Sequence, residues 1–501
     1  MVNAEKIFKY LIIGGIFLLL LTPLLVADSL FFPFITGKAF FFRIIVEIIF
    51  ALWLCLLLFR KSNFPSASAL LWGLLALVSI TILATVFGVN PYRSFWSNFE
   101  RMEGLITHLH LLAYFVVLIS MFKNHRLWLW FFRASTAVAT IVGIYGIFQL
   151  LGWLDIHQGG VRVDATLGNS AYLAVYLLIH VFITLWLICR DWSQRSVVYF
   201  YSAMLLVQLI NLYHTATRGA LIGLVGGLIL TLLLIVWRAK DAIKLKKVSL
   251  SILIAIALLL VGFWLARGSD LVRSSSVLSR FSSISFEEIK SEARLSIWQI
   301  SLAGFKERPV LGWGPENFVT VFSKYFRPEL WTQEPWFDRS HNIFLDWLSH
   351  TGGLGLLAYL SLFASAIYYL WRLRADFLVL ESSILTGLLA AYFIHNIFVF
   401  DHLVSYLLFF SVLAYIHFRS TNGSQIELST KTNHAWPQPV FLLAGIVILV
   451  LLPLSLYSLN IKPILASQTL IKTFQTGDPN KKLLLFEQAL AYKTFATSEI
   501  S

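Results

Sequence analysis

Apolar runs of about 18–21 residues recur along almost the whole chain, each long enough as a helix to cross a hydrocarbon core of ~30 Å. Lipid offers the backbone no hydrogen-bond partners, so such runs must be helices. The pattern predicts about thirteen spans, near 7–27, 39–59, 67–87, 105–122, 127–151, 169–189, 197–213, 219–237, 248–266, 354–371, 381–400, 403–418 and 438–458. The first run resembles a signal peptide, but with a dozen more behind it a signal-anchor helix is expected. The apolar pattern breaks at length only once, over 267–353. The predicted fold is therefore an all-α polytopic membrane protein of about 12–13 transmembrane helices with a large, mostly helical outer loop. Residues 1–266 hold the first nine spans, 267–353 the large loop, 354–458 the last four spans and 459–501 a helical tail.

Within the large loop the periodicity turns helical. Ser285-Phe286-Glu287-Glu288 fits a capping box, and Leu295, Trp298, Leu302 and Phe305 follow on one face. Pro309 ends that helix. Gly314-Pro315 reads as N-cap and N1 of a second, with Phe318, Phe322 and Tyr325 on one side. A third should start near Ser340 with His341 in its first turn, and Thr351-Gly352-Gly353 should break it before the next span. Trp313, Trp331, Trp336 and Trp347 suit a membrane-interface belt, which makes the loop a lid over the membrane domain. In the tail, Leu470, Phe474, Leu484, Phe486, Ala489 and Leu490 suggest a helix pair broken at Gly477-Asp478-Pro479-Asn480. It resembles the opening of a tetratricopeptide-like array, though one pair is too little for an array.

Composition sharpens this picture. The chain of 501 residues is 58% hydrophobic and 13% charged, which no soluble domain matches. A formal charge of +13 could suggest nucleic acid, but its distribution argues otherwise. With the N-terminus cytoplasmic, the short inner loops hold Arg60/Lys61, Lys123/Arg126, Arg190/Arg195, Arg238/Lys240/Lys244/Lys246/Lys247 and Arg372/Arg374. That is the positive-inside pattern, and these bases set topology and meet anionic lipid heads. Cys55 and Cys189 fall near the inner ends of their spans, where free thiols are expected.

The outer loops collect the candidate chemistry. They contain Asn90-Pro91-Tyr92-Arg93-Ser94-Phe95-Trp96, Glu100-Arg101-Met102-Glu103-Gly104, Arg162-Val163-Asp164-Ala165-Thr166-Leu167-Gly168-Asn169 and His214-Thr215-Ala216-Thr217-Arg218-Gly219. Arginines on the unfavoured side need a local reason. Arg101 has Glu100 and Glu103 beside it, whereas Arg218 has no acidic neighbour in sequence. Arg218 and Arg294 could grip a phosphate-bearing ligand, because guanidinium forks match phosphate oxygens, or could pair within the loops. His341 at a helix N-terminus would be kept neutral by the macrodipole and able to accept a proton. Inside the spans, Arg43 and Glu47 at i,i+4 should satisfy each other; Arg133, His180 and His395 are functional candidates, with His180 and His395 alternatively bonded between helices. The chain has no P-loop, HExxH, CxxC pair or nucleophile elbow, and no acidic cluster resembling a divalent-metal site.

Taken in order, Ser94-Phe95-Trp96, Glu100-Arg101, Gly104, Thr166-Leu167-Gly168-Asn169, Thr217-Arg218-Gly219, Arg294, Trp298, Pro309-Val310-Leu311-Gly312-Trp313-Gly314 and His341-Asn342 with Leu345-Asp346 resemble the O-antigen ligase family. That group of bacterial envelope glycan enzymes includes O-antigen polymerase-like and O-oligosaccharyltransferase-like members. The resemblance spans roughly 88–418. It implies a glycosyltransferase that moves a glycan from a polyprenyl (undecaprenyl) diphosphate carrier to an acceptor such as lipid A-core or a surface protein. The active site would face the periplasm or cell exterior on a multi-pass protein of the bacterial inner membrane, with no metal or other cofactor. It further implies His341 as the base and Arg218 and Arg294 as diphosphate ligands. Arg101, Arg162, Asn169, Trp313 and Asn342 become additional substrate-binding candidates. The thirteenth span and the tail depart from the family's usual twelve spans. Two alternatives stay open: a surface-polysaccharide polymerase of the same chemistry, and a lipid-linked glycan transporter or flippase. The transporter should show inverted repeats and mid-membrane polar groups, and no clear repeat is visible.

Overall fold

A computed structural model describes residues 2–59, 64–158, 160–239, 242–282, 293–332, 336–372, 379–421 and 438–497. The chain opens with α1 (Val2–Leu19), α2 (Thr36–Phe59), α3 (Ala69–Val86) and the short α4 (Pro91–Trp96). Then come α5 (Leu105–Met121), α6 (His125–Leu150), α7 (Ser170–Arg190), α8 (Arg195–His214), α9 (Arg218–Arg238) and α10 (Ile243–Ala266). The long loop carries α11 (Asp270–Ser274), α12 (Ser279–Ser282), α13 (Ala293–Glu307) and α14 (Phe318–Lys324). The last membrane helices are α15 (Ile343–Arg372), α16 (Val379–Asn396), α17 (Leu403–Thr421) and α18 (Gln438–Ser455), before a hairpin of α19 (Lys462–Gln475) and α20 (Pro479–Ala491). No strand occurs among the described residues, and ten helices are long and apolar enough to cross a membrane. The protein is an all-α multi-pass membrane protein. Each of the thirteen expected spans overlaps a helix, but α1, α5 and α16 are not among the ten; α5, at 17 residues, is apolar but shorter.

Helices α7 and α17 form the centre of the bundle and are almost wholly buried. Around them Trp128, Phe132, Trp186 and Tyr415 pack ring against ring. Lipid is as apolar as these side chains, so close packing and interhelical hydrogen bonds hold such a core rather than apolar transfer. His180 supplies one such bond: its Nε2 lies 2.8 Å from Ser135 Oγ, joining α7 to α6. Arg133 reaches Asp191 at 2.7 Å. His395 is fully buried, and neither ring nitrogen has a hydrogen-bond partner among the described residues. Cys55 and Cys189 are free thiols.

The expected Arg43–Glu47 pair does not form. Arg43 Nη2 instead donates to Thr107 Oγ1 at 2.8 Å and to Met102 O at 3.2 Å, anchoring the start of α5. Glu47 gathers His110 Nε2, Ser455 Oγ and Asn460 Nδ2 at 3.1, 2.7 and 2.6 Å. Each group takes a nearer interhelical partner than the one a turn away. Glu47 thereby docks the last membrane helix, whose end is a π-helical turn over Leu456–Ile461.

The long loop has its own small core of Ile297, Ile300, Trp313, Phe318, Val321, Phe322, Leu330 and Phe337. Its first expected cap, at Ser285, lies outside the described residues. Helix α13 stops at Glu307, two residues before Pro309. The second helix does not start at Gly314-Pro315. Glu316 adopts a left-handed φ of 65° and cannot continue a helix from Pro315, so α14 begins at Phe318. The third begins at Ile343 rather than Ser340, which leaves His341 ahead of the helix.

Helix α15 is interrupted at Gly352, with φ 66° and ψ −165°. The turn 309–314 docks into that break. Trp313 N donates to Ser349 O at 2.8 Å, Gly314 N to His350 O at 2.9 Å, and Gly353 N to Pro309 O at 2.7 Å. Carbonyls orphaned at the end of the Ile343–Thr351 segment are thus satisfied from the loop. The approach demands glycine on both sides: a Cβ at Gly352 would sit 2.3 Å from Val310 O, and one at Gly312 2.6 Å from Ser349 O.

Candidate active site

The loops before α7 and α9, the loop between α16 and α17, and the long loop meet around one cavity of about 360 Å³. Its lining includes Gln158, Arg162, Asn169, Tyr172, Thr217, Arg218, Arg280, Arg294, His341 and Phe400. Five sequence candidates, Arg162, Asn169, Arg218, Arg294 and His341, therefore share one chamber although the sequence separates them by up to 179 positions (341 − 162).

The wall is built by local hydrogen bonding. Asp164 Oδ2 accepts from the backbone N–H groups of His157 and Gln158, both at 2.8 Å, while its Oδ1 accepts from Gln149 Nε2 at 2.7 Å. Gln158 in turn accepts from Ser170 N at 2.9 Å. Asn169 is the N-cap of α7, accepting from Ala171 N and Tyr172 N, so its role in the structure is to start that helix at the cavity edge. Arg162 is steered by Thr215 O at 2.9 Å and Thr217 Oγ1 at 3.2 Å. Burial, and then the positive charges of Arg280 and Arg294, lower its guanidinium to about 10. Arg218 opens α9, with Thr217 before it as N-cap residue.

His341 is part-buried and held in a left-handed backbone at φ 55°, an uncommon conformation for a residue with a side chain. Both neighbours are pinned. Ser340 N donates to Asp346 Oδ1 at 2.8 Å, and Asn342 caps α15 by accepting from Phe344 N and Leu345 N at 3.0 and 3.2 Å. Strained conformations of this kind persist where surrounding contacts over-determine them. His341 Nδ1 lies 3.3 Å from Arg339 O. A carbonyl only accepts, so Nδ1 carries the hydrogen and Nε2 keeps the lone pair. The imidazole lies edge-on between Phe337 and Phe400, at 5.7 and 5.4 Å between centroids. Its pKa is lowered to about 4, first by burial and then by Arg294 and Arg101, against the pull of Arg339 O and Asp338. Neutrality here comes mainly from desolvation rather than from a place in the first helical turn.

The remaining candidates sit elsewhere. Arg101 is engaged by Asp338 through two contacts, Nε to Oδ2 at 2.5 Å and Nη2 to Oδ1 at 2.9 Å, and its guanidinium lies over Phe400. It backs the cavity wall rather than lining it. Trp313 is buried in the loop core, with Nε1 bonded to Gly304 O at 2.9 Å and Arg308 over its ring. Asn342 spends its side chain on the helix cap. Sequence reasoning missed Arg280, Gln158 and Phe400, whose local contexts carry no motif. It also missed Asp338-Arg339, an adjacent pair of opposite charges immediately before Ser340-His341. Arg339 donates to Glu103 Oε2 at 2.8 Å and also bonds Glu316, which accepts from Ser97 Oγ at 2.8 Å. Burial pushes the Glu103 carboxyl up, Arg339 pulls it down and Glu316 adds to the rise.

Fold and site together define a multi-pass membrane protein with an arginine-rich polar chamber lined in part by a long loop. The family model described as O-antigen ligase matches residues 203–360. That stretch includes Arg218, Arg280, Arg294 and His341, and it supports the resemblance and a membrane glycan-processing role of ligase or polymerase type. No curated protein matches the chain.

Proposed function

We propose that the protein is a glycosyltransferase that takes a glycan from a polyprenyl diphosphate and joins it to an acceptor hydroxyl at the outer face of the cytoplasmic membrane. The observation that carries this reading is the shared cavity of Arg162, Arg218, Arg280, Arg294 and His341. A carrier diphosphate is anionic and gains charge as the anomeric C–O bond breaks. Arginine forks facing it stabilise that charge without a divalent ion. The acceptor O–H attacks the anomeric carbon, its proton passes to His341 Nε2, and the bonding electron pair leaves with the diphosphate, so the centre inverts. A neutral imidazole has a free lone pair to take that proton, and the anionic diphosphate beside Arg294 raises its basicity when the donor is bound. Phe400 and Phe337 exclude water from the ring and limit hydrolysis.

The direct test is transfer from purified carrier-linked glycan to a defined acceptor by the reconstituted protein. His341→Ala should slow transfer about 10²–10⁴-fold, the usual weight of a positioned base. Arg218→Ala should weaken use of the carrier. Normal transfer by the histidine variant would remove the base assignment. The mass of the product identifies the acceptor. In cells lacking the protein, carrier-linked single repeats would favour polymerisation, and long carrier-linked chains would favour ligation.

A further inference from the structure

The cavity explains Arg162, Arg218, Arg280, Arg294 and His341, but not the charged cluster directly behind it. Asp338 and Arg339 are consecutive, carry opposite charges and stand three and two residues before His341. Each reaches across to the loop ahead of α5, and each finds its opposite there. Asp338 accepts two bonds from Arg101, while Arg339 donates to Glu103, two residues further on. Glu316, from the turn after Trp313, holds Arg339 from the other side, and Glu100 lies 3.3 Å from Arg101. Arg339, Glu103 and Glu316 are all at least 94% buried, so these bonds are shielded from water and geometrically demanding. The same two arginines stack on Phe400, at 5.0 Å for Arg101 and 5.8 Å for Arg339. Phe400 in turn packs edge-on against His341. Arg339 also presents the backbone carbonyl that fixes the tautomer of His341.

We propose that Asp338, Arg339 and their partners Arg101 and Glu103 are positioning residues, a crossed clamp that sets the place and tautomer of His341 without touching the donor. The clamp rests on the base role of His341. It moves Arg101 out of the substrate-binding set, because the Nε–Nη2 edge of its guanidinium is taken by Asp338, Nη1 donates to Tyr172 Oη at 3.3 Å and its face lies on Phe400. A histidine at a left-handed φ has no backbone preference to hold it there, so restraint must come from its neighbours. Two adjacent anchors of opposite sign also define a register: sliding the loop by one residue would set Asp338 against Glu103.

The test is steady-state transfer by the full-length reconstituted protein carrying Asp338→Asn, Arg101→Gln or both. Asp338→Asn is nearly isosteric and is the variant least prone to misfold. Each single variant should lower kcat on the order of tenfold to a hundredfold, the scale of a base displaced by about an ångström. The KM for the carrier-linked donor should stay within about twofold, since the cavity arginines are untouched. The double variant should be no slower than the worse single, because both remove one interaction. A loss expressed in donor KM would make Arg101 a substrate ligand and overturn the proposal. So would losses that multiply in the double variant, or Asp338→Asn with unchanged kcat. If Arg101→Gln does not accumulate, Asp338→Asn alone decides by the same kcat and KM criteria. His341→Ala measured alongside separates the two readings: an active His341→Ala overturns the base role itself, whereas an inactive one with an unaffected Asp338→Asn overturns only the clamp.

Discussion

His341 shows how burial and charge tune one side chain. Its pKa near 4 means that the ring is neutral, and able to accept a proton, from about pH 5 upward. An ordinary histidine would already be half protonated near 6.5. The acid limb of kcat/KM that belongs to this residue should therefore fall near pH 4. Binding should shift it. An anionic diphosphate beside Arg294 offsets the repulsion that holds the imidazolium down, so the limb of kcat should lie above that of kcat/KM. Rate–pH profiles at saturating and limiting donor concentrations check this, and a kcat limb at or below that of kcat/KM would contradict the charge argument.

Among the elements, the contact between the turn 309–314 and the break in α15 does most to shape the site. It ends the helix that begins just after His341 and ties the loop core to a membrane helix through three backbone bonds. Gly352→Ala would place a side chain at φ 66° and drive its Cβ into Val310. The left-handed conformation alone costs about 1–3 kcal/mol, and the clash adds to it. A lowered melting temperature of the solubilised protein is expected, with reduced transfer because the helix after His341 loses its stop. The helix periodicity was legible in the sequence for α13, and so was the glycine break. The starts of α14 and α15 were not, because they depend on Glu316 meeting Arg339 and on Asn342 turning its side chain onto Phe344 N and Leu345 N. Local pattern cannot report a partner 23 residues away.

Across the whole molecule, the cavity gathers residues from before α7, before α9, the α16–α17 loop and the long loop, at one end of the bundle. The same α7 and α9 end at Arg190 and Arg238, in the basic loops of the opposite end. The tail hairpin lies on the cavity's side, where Ser467 Oγ accepts from Phe31 N at 2.8 Å and Phe495 stacks on Trp96 at 5.6 Å. In the proposed orientation, with the basic loops cytoplasmic, the cavity lies outside. In a variant with Cys55 and Cys189 replaced by serine, a cysteine introduced at the exposed Glu329 should react with an impermeant maleimide on spheroplasts. One at the exposed Lys244 should react only after lysis. The reverse pattern would invert the topology and rule out an outward-facing active site.

Hydrophobic run length alone determined the all-α membrane fold, because a bilayer leaves the backbone no choice but helix. Charge bias supplied the expected topology, and the ordered outer motifs supplied the resemblance. Tertiary structure decided which polar residues meet. Arg162 and Arg280 join the cavity, whereas Trp313 goes to the loop core, and Arg43 and Glu47 part to reach other helices. Arg101 turns to Asp338. These outcomes rest on distances between segments remote in sequence, where a buried polar group takes whichever partner the packing brings within hydrogen-bond reach.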